Sequence, residues 1–293
     1  MIISIGHIIC DIYAYDEDSY LAIEADPLLN TDRYNCKKFL GGKAANVAQA
    51  ASMVSDRVHI SCSLGNDKIG KNIKSTLLKS GIGFVESVET EGGTDCIVYK
   101  RYEFDEEGCY LDFGSNKLYT LKNPDSYKCT SGDYIVMHNT APRKDMHEFL
   151  GKVRKMGVKT AYTPSPDTAG LTDDFFCNID YLFMNLDEAD IIRSGSGKGL
   201  DMKEYFLYLS GLYKNTIAIT MGAKGVLAFR EGVCTHKDCH AVETVDCVGA
   251  GDSLLGTTIG LLSNGYDFPE ALNHGITVAT RKCTLEGAQG IQI

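Results

Sequence analysis

Val245-Asp246-Cys247-Val248-Gly249-Ala250-Gly251-Asp252-Ser253 passes through a glycine turn straight into the apolar stretch 250–262. Successive backbone N–H groups at such a turn, with the positive end of the helix behind them, make an anion site. An acid placed there, Asp252, faces a bound phosphate, where a base or a metal ligand makes chemical sense. Without an anion the same stretch is an ordinary helix start, with an acid in its favoured first turn.

Outward from that turn, short β-rich runs alternate with helical stretches. The strands predicted are Ile2–Ile5, Val58–Leu64, Tyr134–Met137, Val158–Tyr162, Tyr181–Met184 and Thr216–Thr220. Several are continuously apolar, as strands buried on both faces are. Helices are predicted over Ala44–Val54, Ile69–Lys79, Lys144–Met156, Met202–Tyr213 and Ala250–Leu262, most of them stopping at or near a glycine. Such alternation implies an α/β fold, a mostly parallel sheet with helices on both faces. Segments 12–40 and 94–113 break the rhythm: the first shows no clean helical period, and the second reads as mixed strand. Both are assigned to one small β element apart from the main sheet.

Four further pieces sit where open α/β sheets place ligands. Gly41-Gly42-Lys43-Ala44-Ala45-Asn46 leads a second helix with glycines and carries an Asn in its first turn. Asn both donates and accepts toward a polyol, and glycine lets a ligand approach the backbone; the plain alternative is a helix start with a capping Asn. Asp11 lies just past the first strand. Asn185-Leu186-Asp187-Glu188 and Thr220-Met221-Gly222-Ala223-Lys224-Gly225 each follow a strand. Singly, each of these reads equally as a loop acid, a helix cap or a turn.

The whole-chain numbers agree with a globular protein. The 293 residues suffice for one large domain or one large and one small. A net charge of −10 argues against nucleic acid as a partner. No apolar run reaches membrane-helix length. The start, Met1-Ile2-Ile3-Ser4-Ile5-Gly6, has no basic stretch or cleavage signature of a signal peptide. Eleven scattered cysteines then read as reduced thiols, and the expectation is a cytoplasmic protein.

Taken together the pieces resemble the ribokinase-like (PfkB) family of carbohydrate kinases. Its early G-G-x-x-x-N stretch stands as Gly41-Gly42-Lys43-Ala44-Ala45-Asn46. Its late D-T-x-G-A-G-D stretch stands as Asp246-Cys247-Val248-Gly249-Ala250-Gly251-Asp252. The order of Asp11, the N-x-x-E element and the T-x-G-x-x-G element also matches. The resemblance implies a three-layer α/β/α sandwich, residues 1–11, 41–93 and 114–293, with a β lid from 12–40 and 94–113. It implies an ATP-dependent sugar kinase with Asp252 as catalytic base and Gly249, Ala250 and Gly251 as anion hole. Asp11, Gly42, Lys43 and Asn46 would contact the sugar; Asn185, Thr220, Gly222 and Gly225 the nucleotide. Glu188 would organise Mg²⁺ through water, with Asn185 beside it. Asp246 would contribute to a monovalent-cation site, and Cys247, standing where the family has Thr, leaves K⁺ activation open. The segment 272–284 is expected near adenine, with Asn273, His274 and Cys283. A homodimer through exposed lid edges is a further expectation.

Three signals are set aside. Ser194-Gly195-Ser196-Gly197-Lys198-Gly199 lacks the spacing and the strand of a P-loop. Cys234, His236, Cys239 and His240 fit no familiar zinc spacing. Lys100-Arg101 reads as a solvated basic pair on a strand rather than a grip on a phosphorylated sugar. The rival readings are a nucleoside or sugar-phosphate kinase, and a binding protein that keeps the fold without catalysis; retention of Asp252 argues against the latter.

Overall fold

A computed structural model describes residues 1–25, 33–102, 108–139, 141, 143–165, 168 and 171–293. In chain order its elements are β1 (Ile2–Ile5), β2 (Ile9–Ala14), α1 (Glu17–Ala25), β3 (Cys36–Gly41), α2 (Lys43–Ser52), β4 (Val58–Ser61), β5 (Ser63–Gly65) and α3 (Lys68–Lys79). Next come β6 (Gly83–Phe84), β7 (Val88–Thr90), β8 (Cys96–Lys100), β9 (Gly108–Leu111), β10 (Tyr134–Met137), α4 (Arg143–Lys155), β11 (Lys159–Tyr162), β12 (Tyr181–Asn185) and α5 (Leu186–Gly195). The chain continues through α6 (Met202–Tyr213), β13 (Thr216–Thr220), β14 (Val226–Arg230), β15 (Val233–Lys237), α7 (Ala250–Ser263) and α8 (Phe268–Lys282).

Among the described residues nine strands form one sheet, in the order β15-β14-β13-β12-β11-β10-β1-β4-β6. It is parallel from β6 to β13 and antiparallel only at the β13-β14-β15 hairpin edge. Alternate residues of the buried strands feed two cores. Ile2, Val136, Phe183 and Ala218 face the layer of α2, α7 and α8. Ile3, Met137, Leu182 and Ile217 face the layer of α4, α5 and α6. The three-layer sandwich is therefore built from apolar alternation within strands that read as uniformly apolar.

Close approach of α2 and α7 is decided by small residues. A Cβ at Gly256 would stand 2.3 Å from the Val47 carbonyl oxygen, and one at Gly260 2.5 Å from a Val54 methyl. Ala44, Ala48 and Ala51 are buried on the α2 side.

The second sheet, in the order β3-β2-β8-β9, draws on both segments that broke the alternation. Its centre is a parallel β2-β8 pair, with antiparallel partners outside. Residues 26–32 and 103–107 of those segments lie outside the described residues. β2 already starts at Ile9, so a boundary at residue 11 falls inside a strand of this sheet. Its β3 edge is covered: Leu40 donates to the Ile291 carbonyl and Ile293 to that of Lys38. A dimer through that edge would have to displace the chain's own residues.

Several elements depart from the sequence reading. Segment 12–40 contains α1, whose apolar burial rests on Tyr20 and Ile23, too narrow a stripe to show a period. Val58–Leu64 is two strands, because β5 leaves the main sheet to pair with β7. α8, begun by the Asp267 cap, and the β14-β15 hairpin were not predicted as elements. No helix of the described residues is long and apolar enough to cross a membrane.

Candidate active site

β12 and β13 end side by side at Asn185 and Thr220, and α7 begins across from them at Ala250. Between lies a cavity of about 500 Å³ lined by Lys43, Asn185, Glu188, Thr220, Gly249–Asp252 and others. A second space of about 290 Å³ adjoins it, sharing Thr220, Gly222, Cys247, Ala250, Gly251 and Leu254. Its walls are mostly apolar and include Val226, Val242, Ile276 and Ala279. The first chamber, of mixed lining and the more polar of the two, thus adjoins an apolar slot.

Gly249 caps α7 with φ +79°, a left-handed conformation that glycine adopts freely. A Cβ there would also meet the Ala288 carbonyl at 2.6 Å. Gly251 has open space where a Cβ would be, so its backbone stays open to a ligand. Asp252 follows in the first turn and is only 7% exposed. Its Oδ2 accepts from Asn46 Nδ2 at 2.9 Å, and its Oδ1 faces Lys43 Nζ at 3.5 Å. Asn46 Oδ1 and Asp11 Oδ1 are buried without a hydrogen-bond partner. Burial, with Asp246 and Asp252 nearby, pushes the Asp11 carboxyl up to about 8, against the pull of Lys282.

The glycines at 41 and 42 make room for the chain itself. A Cβ on Gly41 would collide with the Asp11 carboxyl at 2.3 Å, and one on Gly42, at φ +89°, with the His7 carbonyl at 2.6 Å. Gly225 is required by the hairpin, since its Cβ would stand 2.0 Å from the Lys237 carbonyl. Asn185 and Glu188 form a reciprocal cap of α5: Asn185 Oδ1 accepts from Glu188 N at 2.8 Å, and Glu188 Oε2 from Asn185 N at 2.9 Å.

Asp246 does not line either space. Its Oδ2 accepts from Tyr13 Oη (2.6 Å) and Gly287 N (2.9 Å), its Oδ1 from Val248 N (2.9 Å). Lys282 Nζ donates to the Asp246 backbone carbonyl at 2.7 Å and lies 3.8 Å from Oδ1. Burial lowers the Lys282 pKa, and the Asp246 charge opposes that shift.

The chain matches the pfkB family carbohydrate kinase profile over residues 1–292. It belongs to that family. A Haemophilus influenzae ribokinase is 26% identical over 257 residues, covering 85% of this chain and 82% of the relative. A Thermotoga maritima ribokinase structure superposes with a TM-score of 0.78 at 22% identity, over 99% of this chain and 95% of that one. Arabidopsis thaliana ribokinase, complexed with ribose and ATP, gives 0.77 at 18% identity, over 98% and 93% of the two chains. This family member is thus an enzyme of the kinase class with the ribokinase fold.

Sequence reasoning missed several residues of this kinase. His7 and His138, at the ends of adjacent β1 and β10, stack edge to face 5.2 Å apart, and His7 N donates to His138 Nε2 at 3.3 Å. Neither lies in a motif; only strand adjacency finds them. In segment 272–284 it is Ile276, Ala279, Thr280 and Cys283 that face the apolar slot, while Asn273 and His274 are exposed. A 3.6-residue count from Ile276 through Ala279 to Cys283 would have found that face. Lys282 carried no signal beyond its place in the last turn of a helix.

Proposed function

We propose that this chain transfers the γ-phosphate of ATP to a hydroxyl of an unphosphorylated sugar. One observation carries the reading: the Asp252 carboxylate is held between Asn46 and Lys43 at the mouth of the α7 N-terminus, in the wall of the polar chamber. A base there takes the proton of a hydroxyl as its oxygen attacks phosphorus, while the N–H groups of Gly249 and Gly251, joined by that of Ala250 when it leaves the Cys247 carbonyl it now meets at 3.1 Å, receive charge shed onto the transferring oxygens. Positioning and electrostatics do most of the work in such transfers.

The acceptor end is read from orphaned atoms. Buried acceptors without donors are costly, and hydroxyls of a polyol supply what Asp11 Oδ1 and Asn46 Oδ1 lack. A carboxyl raised to about 8 is protonated near neutrality, so Asp11 both donates and accepts. The polar chamber suits triphosphate and the apolar slot a purine face. Thr220 and Gly222 stand where the two spaces join.

Mg²⁺ fits the donors present. Asp187, Glu188 and Asp252 line the polar chamber. No group of three or more His, Cys, Asp or Glu among the described residues is arranged to hold an ion alone. That pattern suits an ion bound mainly by phosphates and water. Glu188 would orient its water shell, and the ion would neutralise phosphate charge. The small sheet is read as the lid: Tyr13 from β2 reaches Asp246 beside the anion-hole turn, so closure over the sugar and order in that turn are coupled.

An ATP-consumption screen against pentoses, hexoses, their phosphates and nucleosides tests the reading. Turnover with a free sugar supports it. Turnover confined to nucleosides or sugar phosphates replaces the acceptor. AMP-PNP binding with no turnover on any polyol returns the chain to the binding-protein alternative.

A further inference from the structure

Lys282 is one of the most deeply buried cations of the chain, 4% exposed, and it serves neither cavity. Its ammonium lies where two segments converge. One is the stretch entering the α7 turn, which contributes the Asp246 carbonyl at 2.7 Å and the Asp246 Oδ1 at 3.8 Å. The other is the turn after α8, which contributes the Leu285 carbonyl at 3.5 Å. The same two segments are tied by Val245 N and Asp246 N, both donating to the Cys283 carbonyl at 2.8 and 3.1 Å. Asp246 is meanwhile fixed by Tyr13, Val248 and Gly287, with the Arg101 guanidinium 4.0 Å from its Oδ2, so its position sets the backbone that enters Gly249.

A buried site made of carbonyl oxygens and one carboxylate calls for positive charge, and the Asp246 carboxylate already has two cations, Lys282 Nζ 3.8 Å from Oδ1 and the Arg101 guanidinium 4.0 Å from Oδ2. The family resemblance implies a monovalent-cation site at Asp246 and leaves K⁺ activation open. Here the charge is covalently attached. An ammonium carries three donors and satisfies converging carbonyls as a bare monovalent ion does. An added K⁺ would have to share the oxygens that Lys282 holds and sit against its like charge, which the low-dielectric surroundings make unfavourable. The residues present therefore do not fit an ion.

We infer that Lys282 is a built-in monovalent cation, a positioning residue that holds the 246–252 turn in its anion-binding shape and makes this kinase indifferent to K⁺. The inference deepens the kinase reading, since it takes Gly249–Gly251 as the anion hole. It assigns Lys282 no contact with substrate; the ammonium acts through Asp246 and the backbone it anchors.

The test uses melting temperature and AMP-PNP affinity, measured by calorimetry in KCl, NaCl and choline chloride at equal ionic strength. For the wild-type chain both quantities should agree across the three salts. Lys282→Met should melt lower in choline and bind AMP-PNP about tenfold more weakly, a size taken from the low end of what losing an outer-shell partner costs at metal sites. K⁺ or NH₄⁺, small enough to enter the vacated position, should restore both. A wild-type chain whose AMP-PNP affinity or melting point rises severalfold or by several degrees in K⁺ over choline overturns the inference, and this arm decides even if the variant does not fold. A folded Lys282→Met indistinguishable from wild type overturns it too. So does a loss that neither K⁺ nor NH₄⁺ repairs, which makes Lys282 a packing residue only. Failure of AMP-PNP to bind at all strikes the kinase reading instead, while the melting comparison still reports on the cation.

Discussion

Asn46 donates to Asp252 across 2.9 Å although 206 residues separate them in the chain. The bond exists because α2 and α7 cross with almost no side chain between them, Gly256 lying against the backbone at Val47. A helix–helix crossing thus sets the distance between the first-turn residues of two helices, one assigned by the proposal to the acceptor site and one to the phosphate site.

Asp252→Asn should keep the fold and AMP-PNP affinity and lower kcat by about two to four decades, the span of a positioned general base. The Asn retains an oxygen for the Asn46 amide but loses basicity. Steady-state kinetics on the sugar found by the screen checks this; near-normal turnover removes the base assignment.

Gly256→Ala should be destabilising by about 1–3 kcal/mol, as overpacked positions are. Helix propensity favours Ala by about 1 kcal/mol, but the new methyl would meet a backbone oxygen at 2.3 Å, which cannot move aside alone. Gly260→Ala meets the end of the Val54 side chain and should cost less. Urea unfolding of both variants ranks them, and the reverse order would refute the account of the crossing.

Asp11 makes stability pH-dependent with a definite sign. Its folded carboxyl titrates at about 8 against an ordinary 3.8, so between those values the folded chain binds more protons than the unfolded one. Stability from this group is full below about pH 4 and is lost as pH rises through about 8. Asp11→Asn has no charge to bury, so its melting temperature should gain on wild type progressively from pH 5 to pH 8.5. Parallel profiles for the two proteins would mean that Asp11 titrates normally.

Glu188→Gln keeps an oxygen for the Asn185 amide and so should keep the α5 cap. Glu188→Ala should also lose about 1 kcal/mol of cap stability. The Gln variant should need about tenfold more Mg²⁺ for half-maximal rate, with melting little changed, the low end of the usual cost of losing an outer-sphere ligand partner. An unchanged Mg²⁺ titration would leave Glu188 a helix cap.

The proposed lid predicts an order of protection. Hydrogen exchange in β8, Cys96–Lys100, should slow more on adding the sugar than on adding AMP-PNP. Equal protection by both would detach the small sheet from the sugar site.

Strand and helix types were legible because each is local. Continuous apolar runs gave β1, β10, β12 and β13, and glycine or acid punctuation gave α2, α3 and α7, each to within a few residues. The turn Val248-Gly249-Ala250-Gly251-Asp252 announced its own geometry, since few residues other than glycine accept φ +79° at the entry to a helix. Weakly periodic or polar pieces were not legible. α1 and the β14-β15 hairpin form because neighbours bury one side of them, which no window of sequence records. Site contacts between distant segments were equally out of reach. Asn46 meeting Asp252, Tyr13 reaching the Asp246 carboxylate, and Lys282 donating to the Asp246 backbone carbonyl span 206, 233 and 36 residues. Local chemistry determined which groups the chain offers; the packing of α2, α7, α8 and the small sheet decided which of them meet, because side-chain charges and hydrogen bonds act over a few ångströms and only tertiary structure sets distances on that scale.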